Sequence, residues 1–201
     1  MQDIAYKLGD SLYLNITNRC TNACSFCIRY KTHTFHGKYK LWLDYEPTDE
    51  ILKAIGDPSQ YKEIVFCGYG EPLIRLETIK EVSKKLKALG ASIRIDTNGH
   101  ANLFYGRNIL PELKDLVDFM SISLNAESEE AYMKICNPFW GKRSFGAVLD
   151  FAKEAKKYIP KLEVTVVDLP QLIDIKKAKE LVKSLGVPFR VRSYYEEKYV
   201  R

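Results

Sequence analysis

Three cysteines lie within eight residues of the chain, at Cys20, Cys24 and Cys27. They follow the alternating apolar run 12–16, which predicts a β-strand that ends just before the first of them. One tight loop can turn three thiolates toward a single soft metal centre. A four-iron cluster held by three cysteines leaves one iron without a protein ligand, and that iron can bind another molecule. The spacing therefore predicts a metal centre with one open position.

The composition is that of an ordinary globular protein, with 46% hydrophobic and 28% charged residues among 201. This length predicts one domain, residues 1–201. No apolar run approaches the roughly 20 residues of a membrane span, and the N-terminus lacks a secretory pattern. Five cysteines, three of them clustered, favour metal binding in a reducing compartment, so we expect a cytoplasmic protein. The net charge of +5 is mild, and its lysines fit solvated helix faces.

Strand-like and helix-like segments alternate along the chain. Short β-branched runs predict strands at 12–17, 63–67, 92–96, 119–124, 162–167 and 189–192. Periodic patterns predict a helix that begins at Pro47 and others over 76–89, 108–116, 127–135 with 145–158, and 173–185. Gly90 follows the second helix as an expected left-handed cap.

Six strand–helix units of roughly 33 residues predict an α/β fold with a parallel sheet and right-handed crossovers. A closed eight-stranded barrel needs about 250 residues. The expected fold is therefore a partial, three-quarter (βα)6 barrel. Ligands of such folds gather at the carboxyl ends of the strands. The segments at those ends are polar or rich in glycine, namely 20–27, 68–72, 96–99, Asn125 and Asp168. One shared rim is the expected site.

Two motifs on consecutive units carry a family resemblance. Cys-x3-Cys-x2-Cys follows the first predicted strand, and Gly-Tyr-Gly-Glu-Pro at 68–72 follows the second. In this order they resemble the radical S-adenosylmethionine (SAM) superfamily, whose core fold is a six-unit partial barrel. More narrowly, segments 15–20, 26–29, 135–138 and 164–170 are similar to the small TatD-associated radical SAM proteins.

The resemblance implies a 4Fe–4S cluster on Cys20, Cys24 and Cys27, with SAM bound to the open iron. It also implies an enzyme that cleaves SAM reductively to methionine and a 5′-deoxyadenosyl radical, which takes hydrogen from an unidentified substrate. The methionine amino group would be received by Gly68, Tyr69, Gly70 and Glu71. The ribose would lie near Asp96, Thr97, Asn98, Ser123 and Asn125. The adenine would be flanked by Phe26, Val167 and Arg190. Tyr69 departs from the family motif, which usually has a second glycine there.

Two other classes of function stay open. One is an iron–sulfur electron-transfer protein without SAM chemistry, against which the SAM-like loops argue. The other is a zinc-stabilised nucleic-acid-binding module, with His33 or His36 as the fourth ligand. Segment 29–40 favours that module because it interleaves basic and aromatic residues, and it also suggests an anionic or nucleic-acid substrate.

Two further cysteines lie outside the cluster motif. Cys136 interrupts a helical pattern at 135–138, and we hypothesise that it donates a hydrogen atom or links to the substrate, the alternative being a structural thiol. Cys67 fits a small core residue at a strand end. The enzyme would require an electron donor such as flavodoxin or ferredoxin, and a homodimer could complete its open barrel. No association with membranes is expected.

Overall fold

The computed structural model describes residues 2–194, so residue 1 and residues 195–201 of the predicted domain lie outside it. The strands are β1 (Ala5–Leu8), β2 (Ser11–Leu14), β3 (Thr34–Phe35), β4 (Tyr39–Lys40), β5 (Glu63–Phe66), β6 (Ile93–Thr97), β7 (Phe119–Ser123), β8 (Lys161–Asp168) and β9 (Phe189–Ser193). The helices are α1 (Glu50–Ile55), α2 (Leu76–Ala88), α3 (Ala101–Tyr105), α4 (Glu129–Cys136), α5 (Arg143–Ala155) and α6 (Ile175–Ser184).

Seven strands form one sheet in the order β1-β2-β5-β6-β7-β8-β9. From β2 to β9 all neighbours are parallel, which confirms the six predicted strands and their order. Among the described residues β1 and β9 are the two edges, so the sheet is open, as expected from six units. The carboxyl ends of the six parallel strands consequently meet along one rim.

Two small β elements were not predicted. Strand β1 pairs antiparallel with β2 after a turn at Gly9, which has φ +58°. Strands β3 and β4 form a separate two-stranded ribbon in segment 29–40. Strand β1 has four residues, and β3 and β4 have two each.

The predicted helix at 108–116 was wrong. The structure has a single 3₁₀ turn there, Leu110–Leu113, while α3 lies earlier, at Ala101–Tyr105. Pro111 supplies no backbone donor, and Asp115 has φ +63°, so an α-helix cannot run through this segment. The other predicted helices are confirmed within a few residues, and Gly90 has φ +79° after α2, as expected of a left-handed cap.

The two faces of the sheet differ. In β6, Ile93, Ile95 and Thr97 are buried and alternate with Arg94 and Asp96. Ile93 and Ile95 belong to the main apolar core, together with the buried side chains of the helices, such as Leu86 and Phe151. Arg94 and Asp96 therefore lie on the opposite face, which we call the inner face. None of the helices within residues 2–194 has the length and apolar composition that a membrane crossing needs.

Candidate functional site

The cysteine loop, residues 20–27, follows β2 and lies at the rim. Cys20, Cys24 and Cys27 are half-buried, and none forms a disulfide. The loop is fastened to the end of α4, because Ala23 N donates to Cys136 O at 3.0 Å and Ser25 N donates to Ile135 O at 2.9 Å. The three thiols are thus held on one fixed loop rather than on a free segment.

Arg29 also fixes the cysteine loop, through hydrogen bonds to its backbone and to the residues just before it. Its guanidinium is buried and donates to the carbonyls of Asn18 at 3.0 Å and Asn22 at 2.9 Å. Sequence analysis included Arg29 in the basic segment 29–40 that suggests an anionic substrate, but its buried side chain is occupied by the loop carbonyls. The charge of this residue lies inside the molecule, where it compensates loop carbonyls that would otherwise lack donors.

The thiols of this loop are in their neutral form when no metal is bound. Burial raises the pKa of Cys20 to about 12 and also raises the pKa of Cys27. The pKa of Cys24 is raised above all by a hydrogen bond with the Cys136 thiol. Thiolates are the ligands of iron–sulfur clusters, so cluster binding here would release protons. Three free thiols on one loop fit the donor set that such a cluster requires.

The zinc alternative expects His33 or His36 beside these cysteines. Instead, His33 stacks on Trp42 with ring centroids 4.7 Å apart, and His36 packs edge-on against Phe35. Within residues 2–194, no three histidine, cysteine, aspartate or glutamate side chains converge in a way that would hold a single metal ion. The structure does not assemble the zinc site that this alternative predicts.

The glycine loop, residues 68–72, packs directly on the chain that leads into the cysteine loop. A Cβ on Gly68 would lie 2.1 Å from Asn15 Oδ1, and one on Gly70 would lie 2.4 Å from Thr17 O and 2.5 Å from Arg19 O. Both glycines are therefore required by backbone packing. The Tyr69 side chain lies between these two glycines in sequence but contacts a different segment, because its hydroxyl donates to Thr32 O at 2.6 Å.

Glu71 joins the glycine loop to the segment after β6. Its carboxylate accepts from Leu73 N at 3.1 Å, Thr97 Oγ1 at 2.7 Å and Asn98 N at 2.6 Å. Burial raises the pKa of Glu71 to about 7, against the effect of these donors. The pairing of Glu71 with an ammonium stays a prediction, and in this structure its oxygens brace the two rim loops against each other.

A buried hydrogen-bond network lies behind Cys20. Asn98 Nδ2 donates to Thr21 Oγ1 at 2.8 Å and lies 3.7 Å from the Cys20 sulfur, within range of a weak N–H···S bond. The His100 ring bridges Thr21 Oγ1 and Tyr132 OH, each at 3.0 Å. Burial lowers the pKa of His100 to about 4, so its ring is neutral at pH 7.

His100 directly follows the predicted rim segment 96–99, whereas Thr21 and Tyr132 were not predicted as site residues. Thr21 occupies a variable position of the cysteine motif and Tyr132 belongs to no motif, so only the fold brings them to His100. Asn98 was expected at a ribose, whereas its side-chain amide is directed at the cysteine loop. The contact of Asn98 with the ribose of SAM stays a prediction.

The remaining predicted site residues lie along the rim and the inner face. Asn125, with φ +54°, accepts from Val167 N at 3.1 Å and so ties β7 to β8. Ser123 Oγ accepts from Arg192 at 3.2 Å, and Arg190 pairs with Glu163 through contacts of 2.6 to 3.0 Å. Phe26 is partly buried against the main core. Cys136 is fully buried at the end of α4, and Cys67 lies half-buried next to Asp96.

Comparison with known proteins agrees with this arrangement. The sequence profile of the radical SAM superfamily matches residues 14–183. An uncharacterised protein from Methanocaldococcus jannaschii is 29% identical over 148 residues, which are 73% of this chain and 43% of that protein. A GTP 3′,8-cyclase from Aliarcobacter butzleri is 28% identical over 193 residues, which are 93% of this chain and 56% of the cyclase. The chain therefore belongs to the radical SAM superfamily.

Solved structures show the same fold. The enzyme anSMEcpe with bound AdoMet has a TM-score of 0.66 at 16% identity, over 92% of this chain and 51% of its own. Methylornithine synthase has a TM-score of 0.62 at 16% identity, over 92% and 53%. Radical SAM proteins of this kind have a partial barrel, as predicted for this chain. Membership of the superfamily implies a 4Fe–4S cluster and SAM. The chain spans between 30% and 56% of the length of the curated relatives that it matches.

Proposed function

We propose that this protein is a radical SAM enzyme that uses a 4Fe–4S cluster and SAM to remove hydrogen from a substrate. The observation that carries the proposal is the hydrogen-bonded connection between the cysteine loop and the glycine loop at the rim. Three free thiols lie on one loop, and Asn98 and Glu71 link that loop through hydrogen bonds to the glycine loop. An electron carrier needs no such second loop beside its cluster.

The chain's own residues would bind and orient the reactants. Cys20, Cys24 and Cys27 would hold the cluster, and loop 68–71 would hold the amino acid end of SAM. The ribose is assigned to Asp96, Thr97, Asn98, Ser123 and Asn125, and the adenine to Phe26, Val167 and Arg190. When bound, the cluster would supply the one-electron reduction that cleaves SAM and so initiates removal of hydrogen from the substrate.

The network behind Cys20 supports this assignment physically. A neutral His100 between Thr21 and Tyr132 fixes the start of the cysteine loop without adding a charge next to the thiolates. Cys136 touches Cys24 through its thiol, although it is fully buried. Its hypothesised part in hydrogen transfer thus requires either that the substrate reaches beneath the loop or that Cys136 acts through Cys24.

We further propose a cytoplasmic location, an electron donor such as flavodoxin or ferredoxin, and an anionic substrate such as a nucleic acid. A homodimer is proposed as the means of covering the open side of the sheet. These proposals rest on the reducing compartment that three clustered thiols require and on the basic residues of segment 29–40 other than Arg29.

Anaerobic reconstitution with iron and sulfide tests the function. The wild type is expected to bind about four irons per chain and, once reduced, to convert SAM to 5′-deoxyadenosine. A Cys20→Ala, Cys24→Ala, Cys27→Ala variant is expected to lose both iron and product, while Cys67→Ala keeps its iron. A cluster whose spectrum does not respond to SAM would establish the electron carrier instead. A colourless protein that retains zinc would establish the zinc module.

A further inference from the structure

The inner face of the sheet carries charged side chains instead of apolar filling. Residues that face each other across parallel strands point to the same side of a sheet. The registers place Asp96 opposite Ser121, Ser123 opposite Thr165, and Val167 opposite Arg192. Side chains from β6 to β9 therefore share one surface at the carboxyl end.

Two of the three arginines on this surface already have partners. Arg94 contacts Glu63 at 3.0 Å and Tyr13 OH at 2.8 Å. Arg190 pairs with both carboxylate oxygens of Glu163. These pairs neutralise the amino end and the middle of the inner face.

Arg192 is different. Within residues 2–194 its guanidinium donates a hydrogen bond from Nη2 to Ser123 Oγ at 3.2 Å, and its buried Nε has no hydrogen-bond partner. Thr165 Oγ1 is likewise buried without a hydrogen bond in this part of the chain, whereas Asp96 Oδ1 lies 3.1 Å from Arg94 Nε in an ion pair. Burial lowers the pKa of Arg192, and the nearby Asp96 carboxylate opposes that effect. Two buried polar atoms without partners, Arg192 Nε and Thr165 Oγ1, thus lie on the neighbouring strands β9 and β8.

Unsatisfied buried polar groups are costly and uncommon, and a cluster of them indicates a missing ligand. A guanidinium has five donors in a planar fork that matches carboxylate and phosphate oxygens. We propose that Arg192 binds an oxyanion of the substrate, a carboxylate or a phosphate, on the inner face. Asp96, which is assigned to the ribose of SAM, carries a negative charge near Arg192 and so disfavours a second anionic group there. This inference rests on the proposed function, because it places the substrate beside SAM.

The test measures binding of inorganic phosphate and of acetate to the reconstituted protein, by calorimetry, with and without SAM. Arg192→Gln is expected to weaken the binding of at least one of the two probes by tenfold or more. Arg192→Lys is expected to weaken that binding by a smaller factor. Arg107→Gln is the control for loss of one arginine, because Arg107 is half-exposed and paired with Glu112 outside the site. Asp96→Asn is expected to tighten binding of the same probe, since it removes a nearby negative charge. A general folding defect would not produce that opposite sign.

Which probe binds more tightly distinguishes a carboxylate substrate from a phosphate substrate, and either result supports the site. Unchanged binding of both probes by Arg192→Gln overturns the proposal. Equal loss of SAM binding and probe binding also overturns it, because Arg192 would then belong to the SAM site. Binding is measured without turnover, so a protein that binds the probe through Arg192 but never cleaves SAM would refute the proposed function alone.

Discussion

Gly70 lies against two backbone carbonyls, those of Thr17 and Arg19, that lead into the cysteine loop. Gly70→Ala would place a methyl group 2.4 Å from Thr17 O, so the glycine loop or the chain before Cys20 must move. We expect a loss of roughly 1–3 kcal/mol in the free energy of unfolding, as for other overpacked sites. Urea denaturation of the metal-free protein measures it.

Gly146 provides the matched control for that substitution. It lies within α5, where an added Cβ would meet nothing within 4 Å. Gly146→Ala is expected to raise the free energy of unfolding by roughly 0.5–1 kcal/mol, because alanine loses less backbone entropy than glycine when it folds into a helix. Equal stability of the two variants would show that the close approach at Gly70 relaxes without cost.

His100 predicts a pH dependence of stability. Its pKa is about 4 in the folded protein, because of burial, and about 6.5 in an unfolded chain. The unfolded state therefore binds more protons between these values, and stability falls as the pH is lowered from 6.5 toward 4. The expected slope is roughly 1.4 kcal/mol per pH unit.

The measurement compares urea unfolding of the metal-free wild type and of His100→Gln between pH 7 and pH 4. Glutamine keeps one donor and one acceptor but does not titrate in this range. The difference between the two proteins should shrink as the pH falls. Parallel curves would mean that His100 is not held neutral in the fold.

At the scale of elements, helix α4 and the cysteine loop form one unit. The helix ends at Asn137, which has φ +41° and whose backbone N–H donates to Met133 O. Asn137→Ala is expected to lower the free energy of unfolding by about 1 kcal/mol, because alanine disfavours the left-handed region. Asn137→Gly is expected to leave it unchanged or to raise it, because glycine adopts this region readily. The alanine variant should also expose the loop, since Ala23 and Ser25 bond to the end of α4.

The rate at which an alkylating reagent modifies the cysteines of the metal-free protein reports that exposure. It should rise in Asn137→Ala and stay at the wild-type value in Asn137→Gly. A rise in both variants would assign the effect to loss of the asparagine side chain rather than to backbone conformation.

How far the sequence predicted these elements follows from which signals are local. The six parallel strands were predictable because their β-branched runs are bounded by glycine and polar residues. The helix at 108–116 was mispredicted because a periodic apolar pattern outweighed Pro111. Arg192 lies in a basic and aromatic C-terminal segment, but its contact with Ser123 was not predicted, because it depends on strand register, to which residues far apart in the sequence contribute. The same holds for Thr21 and Tyr132, which meet at His100 only in the folded chain.

At the scale of the molecule, a second apolar cluster stands beside the main core. It is formed by Tyr6, Leu41 and Tyr69. Asn15 joins it to the rim, because its Nδ2 donates to Leu41 O at 2.7 Å and its Oδ1 accepts from Tyr69 N at 3.1 Å. Tyr6 OH also donates to Cys67 O at 3.0 Å. These bonds cross from the first strands to the glycine loop, so we expect the cluster to unfold together with the main core.

The two tryptophans test this expectation, since Trp42 is adjacent in sequence to Leu41 of the second cluster and Trp140 contacts the His100 ring. Trp42→Phe leaves only Trp140, and Trp140→Phe leaves only Trp42. In each variant, the urea midpoint from fluorescence should equal the midpoint from far-UV circular dichroism, as in a cooperative two-state transition. Comparison within one variant removes the effect of the substitution itself on stability. If the fluorescence of Trp42 changed at a lower urea concentration than the circular dichroism, the second cluster would unfold separately, and the prediction of a single domain would be wrong.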